Sequence, residues 1–166
     1  MNKLLSVTLL AALGSVSFAQ MSAGGSSATI PAAEAAQAPA GLTARATAPR
    51  YTSSPVRLTM TVANATGREQ ELSAPRDNRQ DCATAPLVRV LEVGSREVVY
   101  PAAGSGSATL CAQDLFVKTV AAGSSVRLER TLNLPAGDYM IESWFSGNAA
   151  DGKVKLAAEP VRVTVW

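Results

Sequence analysis

Between Arg76 and Asp114 the chain gathers both of its cysteines and a group of charged side chains. The two cysteines, Cys82 and Cys111, lack the Cys-x-x-Cys spacing of a redox pair and the extra ligands of a metal site. They are expected to form a structural disulfide in an oxidising compartment. Closing a loop of roughly 30 residues would add about 3–4 kcal/mol in the chain-entropy picture. Arg76, Arg79, Asp81 and Asp114 flank the cysteines and form a candidate partner-binding loop. An arginine on such a braced loop has the shape and charge to fill a trypsin-like specificity pocket. Asp77, Asp81 and Asp114 supply too few oxygen ligands, too irregularly spaced, for a calcium site.

The chain contains no histidine, which removes Ser-His-Asp and Cys-His catalysis and the usual zinc and copper ligand sets. The carboxylates are scattered, mostly at alternate positions of extended segments, where solvated surface charge is the simpler assignment than a glycosidase pair. Gly104-Ser105-Gly106 lacks the strand-to-helix setting of a phosphate-cradling loop. Asn64-Ala65-Thr66 matches a glycosylation sequon but sits where a turn is expected, which accounts for the Asn. The expectation is a protein that is not an enzyme, with no cofactor and no metal.

The elements that must hold these residues are strands. Val56, Leu58, Met60 and Val62 alternate with Arg57, Thr59 and Thr61 until Asn64-Ala65-Thr66-Gly67 breaks the pattern. Period-two alternation stopped by turn residues marks a strand with one buried face. Leu42 to Ala48 forms a short edge strand, and Arg68 to Leu72 is expected to return as the hairpin partner of Pro55 to Asn64. Leu87 to Val93 turns at Gly94-Ser95 into Arg96 to Tyr100. Pro101 to Thr109 is a loop of small residues; Leu115 to Val120 and Ser125 to Leu132 follow as strands, with Val126, Leu128 and Leu132 on one face. Met140 to Phe145 is a strand, Ser146 to Gly152 a hairpin loop, and Lys153 to Leu156 and Pro160 to Trp166 finish the chain. Trp144 is in phase with Met140, and Trp166 with Arg162 and Thr164. The two indoles mark either a binding stripe or a second packed face. Tyr139, entering a strand after Gly137-Asp138, has the placement of a tyrosine corner, whose hydroxyl bonds nearby backbone in immunoglobulin-like sandwiches. No segment carries a helical period. The fold class expected is all-β: an immunoglobulin-like antiparallel β-sandwich of about seven to nine strands.

Three segments are expected. Residues 1–19 read as a secretory signal peptide: Lys3, an apolar stretch from Leu4 to Leu13, and Ser17-Phe18-Ala19 before the cut. The stretch is too short for a membrane span, which needs about 20 residues, so no span remains after cleavage. Residues 20–41 are rich in Ala, Ser, Gly and Pro and read as a flexible linker. Residues 42–166 form the sandwich, long enough for one core. Of the 15 cationic residues 11 are Arg, and they intersperse with 13 anionic ones without a basic block. That pattern argues against nucleic acid or an anionic membrane as partner.

Tyr51 followed by Pro55 to Gly67 resembles the opening of the BsuPI-type intracellular proteinase inhibitor family. Further points of resemblance are the hairpin Leu87 to Tyr100, the turn Ala121-Ala122-Gly123-Ser124, the Leu134 to Tyr139 corner and the closing strand Pro160 to Trp166. The resemblance spans Leu42 to Trp166 and implies an immunoglobulin-like fold and, for the founding members, inhibition of an intracellular serine proteinase. The export signal and the cysteine pair depart from that pattern. Two functions follow as expectations. One is an exported, non-catalytic binding or structural module of the bacterial cell envelope, in the periplasm, at the envelope or outside the cell, acting on a protein partner. The alternative is a serine proteinase inhibitor using a disulfide-braced loop, its partner a protease.

Overall fold

The alternation that opens at Val56 builds the middle strand of a small sheet. A computed structural model describes residues 40–102, 110–150 and 152–166. In it Val56, Leu58, Met60 and Val62 are fully buried, while Arg57 faces solvent. This strand, β3 (Val56–Asn64), is flanked antiparallel by β1 (Leu42–Thr47) and β8 (Ser125–Leu132).

The second sheet is organised by the long strand β9 (Gly137–Ala149). Along one edge of β9 run β10 (Gly152–Ala157) and then β11 (Val161–Val165). Their register shifts by one residue between the pairs Leu156–Phe145 and Val161–Ile141. Pro160, with no N–H to give to a ladder, lies at that irregularity. Along the other edge run β5 (Leu87–Glu92) and β4 (Gln70–Pro75). β6 (Val98–Tyr100) extends β5, β7 (Leu115–Val120) extends β4, and the two-residue β2 (Tyr51–Thr52) adds in parallel to β11.

The sheets pack face to face around two clusters of apolar side chains. Val56, Leu58, Val88, Val90, Ile141 and Val163 fill one, and Met60, Leu72, Phe145, Val154 and Leu156 the other. Burying each such side chain contributes about 1.5–3 kcal/mol. Tyr139 donates its hydroxyl to the Pro135 carbonyl at 3.1 Å, tying the corner before β9 to the strand it enters. The protein is an all-β, immunoglobulin-like sandwich, antiparallel except for β2, and no helix occurs among the described residues.

Three local expectations are corrected. Arg68 to Leu72 does not return beside β3; β4 crosses to the other sheet and pairs with β7 and β9. The cause is Asn64, fully buried at the end of β3: its Nδ2 donates to Arg68 O and Val120 O at 2.9 Å, and its Oδ1 accepts from the Thr66 N–H. These bonds steer the chain across the sandwich. They also leave the sequon Asn with no free amide. Second, Gly94-Ser95 is not a two-residue hairpin turn. Strand β5 ends at Glu92, and a wider loop closes with Arg96 at φ 60° and the Glu92 N–H bonded to Glu97 O. Third, Ser146 to Gly152 is not a loop, since β9 runs on to Ala149. Gly147 permits this extension: a Cβ there would lie 2.1 Å from Ser73 O, so β4 approaches β9 only because the position has no side chain. Residues 1–39, which hold the expected leader and most of the linker, and residues 103–109 of the Pro101 to Thr109 loop lie outside the described residues.

Candidate functional site

The chain leaves β4 at Pro75, whose ladder partner is Leu115. The next pair in that register is Arg76 and Asp114, and the ladder continues as side chains. Arg76 Nε and Nη2 donate to the two carboxylate oxygens of Asp114, the latter at 2.7 Å, and Nη1 donates to Cys82 O at 3.1 Å. A bidentate arginine–carboxylate fork fixes orientation as well as distance. It holds the Asp114 carboxyl below the usual carboxylate range, and the same contact pushes Arg76 up. Beyond the fork, Cys82 and Cys111 form the disulfide. A disulfide is compatible with an oxidising compartment.

Between Arg76 and Cys82 the backbone closes on itself. The Asp77 N–H donates to Ala83 O at 2.8 Å, Gln80 N–H to Asp77 O, and Ala83 N–H to Gln80 O. Asp77 Oδ1 accepts the Arg79 N–H at 2.8 Å, the side-chain turn that Asp favours. Asp81 and Cys82 are left-handed, at φ 55° and 57°. Asp tolerates that region and Cys seldom visits it, so surrounding bonds must hold the pair there.

Those bonds come from three directions. Gln80, 96% buried by its 4% exposure, accepts the Val88 N–H through Oε1 at 2.9 Å and pins the loop to β5. Tyr100, the last residue of β6, donates its hydroxyl to Asp81 Oδ2 at 2.8 Å. Arg130 reaches across from β8 and donates to Gln80 O at 3.0 Å, Pro86 O at 3.2 Å and the Tyr100 hydroxyl, with its guanidinium 5.4 Å from the Tyr100 ring centre. Burial first, then the bond to Asp81, raises the Tyr100 hydroxyl above its ordinary value, so Tyr100 stays a donor at neutral pH. A cavity of about 280 Å³ lies against Asp81, Tyr100, Arg130 and the turn at Asn133-Leu134.

The structure brings Cys82, Cys111, Arg76 and Asp114 together, with Asp81 behind them on Tyr100. Arg79 stands apart, exposed at the turn, its guanidinium without a partner among the described residues. Tyr139 belongs to the corner before β9 and not to this cluster. No group of three or more His, Cys, Asp or Glu side chains is placed to hold a metal ion among the described residues. Arg130, Gln80 and Tyr100 escaped the sequence argument. Arg130 had a usable signal: it falls between Leu128 and Leu132, in phase with the buried face of β8.

The outer face of the large sheet carries a second feature. Trp144 is half-buried there under Lys155, whose Nζ lies 5.3 Å from the ring centre. Arg89 pairs with Glu142 beside it, and together they line a shallow groove of about 480 Å³.

No family model and no curated protein matches the sequence. Among solved structures, the "X-ray structure of Northeast Structural Genomics Consortium target SoR45" aligns with 75% of this chain and 86% of that chain, at 6% identity and a TM-score of 0.45. That distant likeness has no bearing on function.

Proposed function

We propose that this chain is an exported, non-catalytic binding module of the bacterial cell envelope that engages a protein partner through the loop between Arg76 and Pro86. The observation that carries this reading is the bracing. A covalent bond, a bidentate ion pair and the Arg130 fork all converge on one short turn whose tip, Asn78 and Arg79, remains exposed. Pre-ordering a loop removes the entropy that binding would otherwise cost, and such bracing suits recognition better than bare stability. The disulfide and the residue 1–19 leader pattern support export.

A photo-crosslinking residue at Asn78 or Arg79, with another at Ala122, exposed at the far end of β7 from the fork, as control, tests it in cells exporting the protein. The expected result is a discrete crosslinked species from the loop positions alone, lost when both cysteines are replaced by serine. No such species, or the same one from Ala122, counts against the reading.

The inhibitor reading now rests on Arg79, because the Arg76 guanidinium is engaged by Asp114. An inhibitory loop must lie extended in a protease cleft, whereas the Arg79 N–H is committed to Asp77 within a closed turn. Titration of the oxidised protein against trypsin-like and subtilisin-like proteases separates the two: stoichiometric inhibition lost in Arg79→Ala would restore the inhibitor.

A further inference from the structure

The outward face of the three-stranded sheet gathers cations that its sequence scatters. Arg45 on β1 and Arg127 on β8 both lie opposite Thr61 of β3, one on each side. Two inter-strand steps separate them by about 9–10 Å. Arg57 lies on β3 four residues from Thr61, about 13–14 Å along the strand. All three are exposed, and none has an ion-pair, hydrogen-bond or ring partner among the described residues. Elsewhere the arginines are mostly engaged: Arg76 with Asp114, Arg89 with Glu142, Arg162 with Asp138, Arg130 in its cluster and Arg50 over Tyr51. Arg79 and Arg96 are lone loop cations. The remaining outward positions of the sheet are Thr, Ser, one Ala and a single carboxylate, Glu129, which lies opposite Thr59.

We propose that this face binds an extended anionic polysaccharide, with Arg45, Arg57 and Arg127 holding its acidic groups and the threonine hydroxyls bonding its sugar hydroxyls. The charge is complementary to such a polymer, and a guanidinium fork matches carboxylate and sulfate oxygens. Arg45, Arg57 and Arg127 spread over all three strands of an exposed sheet face, which suits a chain lying across it. It has no aromatic side chain for stacking bases, the platform that single-stranded nucleic acid requires. It also lacks a large apolar or aromatic anchor for a protein hot spot. Glu129 sits among the three cations and opposes the polymer's charge.

The test measures binding of the exported protein to immobilised polygalacturonate and dextran sulfate at about 50 mM salt, with neutral dextran and single-stranded DNA beside them. Binding to either anionic polysaccharide, and not to neutral dextran, is expected; the preferred one assigns carboxylate or sulfate as the recognised group. The triple variant R45Q/R57Q/R127Q is expected to weaken binding about tenfold or more and to flatten the salt dependence. E129Q is expected to strengthen it about two- to threefold. All four positions point to solvent, so the variants keep the fold. R96Q/K118Q/K153Q removes the same charge elsewhere and is expected to bind as the parent does. Equal loss in both triple variants, tighter binding to the DNA, or no binding to either anionic polysaccharide would overturn the proposal.

Discussion

Replacing Arg130 by Met is the sharpest probe of the braced loop, because Met keeps the aliphatic stem and removes only the guanidinium. The substitution deletes donated bonds to Gln80 O, Pro86 O and the Tyr100 hydroxyl, together with the contact over the Tyr100 ring. Hydrogen bonds to a charged group are worth about 1.5–3 kcal/mol each. Arg130 is only half-buried, and two acceptors keep other partners: Gln80 O receives the Ala83 N–H and Tyr100 still donates to Asp81. The expected loss is therefore about 2–4 kcal/mol in all, below the sum of three full bonds. For a domain of this size that corresponds to roughly 8–16 °C in Tm. Urea unfolding of the oxidised protein reads the global loss. Trypsin cleavage after Arg79 reads the local one, since that peptide bond lies in the turn that Arg130 holds shut. If most of the loss is local, cleavage should accelerate by about tenfold or more. A variant whose stability lies within about 0.5 kcal/mol of the parent, with unchanged cleavage at Arg79, would refute the assignment of Arg130 as the organiser of the loop.

Replacing Cys82 and Cys111 together by Ala should lower stability by about 3–4 kcal/mol in urea unfolding and make the protein indifferent to reductant. Asp114→Asn should leave the fold intact but remove one acidic component of the stability–pH curve. The Asp114 carboxyl titrates below its usual 3.8 when folded, so its contribution is present at neutral pH and fades as pH falls below that value. Tyr100→Phe should do the converse in alkali. The folded hydroxyl titrates above 10.0, so its contribution holds below that pH and is lost as pH rises through the higher folded value, in a urea midpoint series. Asn64→Ala should cost about 3 kcal/mol by calorimetry, because it removes the side-chain amide from a fully buried site and with it the bonds to the buried Val120 carbonyl, the Ala121 carbonyl and the Arg68 carbonyl.

The strands were legible wherever burial alternates. The run from Val56 to Val62 and the closing Val161, Val163 and Val165 each present one apolar face to one core, and period two needs no tertiary knowledge. Sheet membership was not legible. Whether β4 returns beside β3 or crosses the sandwich depends on where Asn64 sends its amide, and its partners at Val120 and Ala121 lie far along the chain. The cysteine pairing followed from there being two of them in an exported pattern. The Arg76–Asp114 fork did not, because it exists only once β4 and β7 are neighbours. Arg130 was hidden by its charge: a guanidinium in an inward phase reads as an interruption of the pattern, when it is the polar cap of one end of the core.

That cap also explains how so small a sandwich can hold a left-handed Asp81-Cys82 pair. Each tie on the loop arrives from a different strand: the disulfide and Asp114 from the approach to β7, Gln80's bond from β5, Tyr100 from β6 and Arg130 from β8. Ties from one strand would let loop and strand move as a unit, whereas ties from both sheets fix the loop only while the sheets keep their packing. An inward arginine on β8, an edge strand of the small sheet, also discourages another chain from pairing there. On the same strand Arg127 and Glu129 point outward, so β8 offers its outer face to one surface and its inner face to the other. β8 is paired with β3 along its whole length, from Ser125 to Leu132, so both faces share one continuous ladder. A ligand shifts an equilibrium only between states that it distinguishes. If both proposals hold, the outer sheet face and the braced loop are recognition surfaces that share one strand, and occupation of one is expected to leave the other's affinity unchanged.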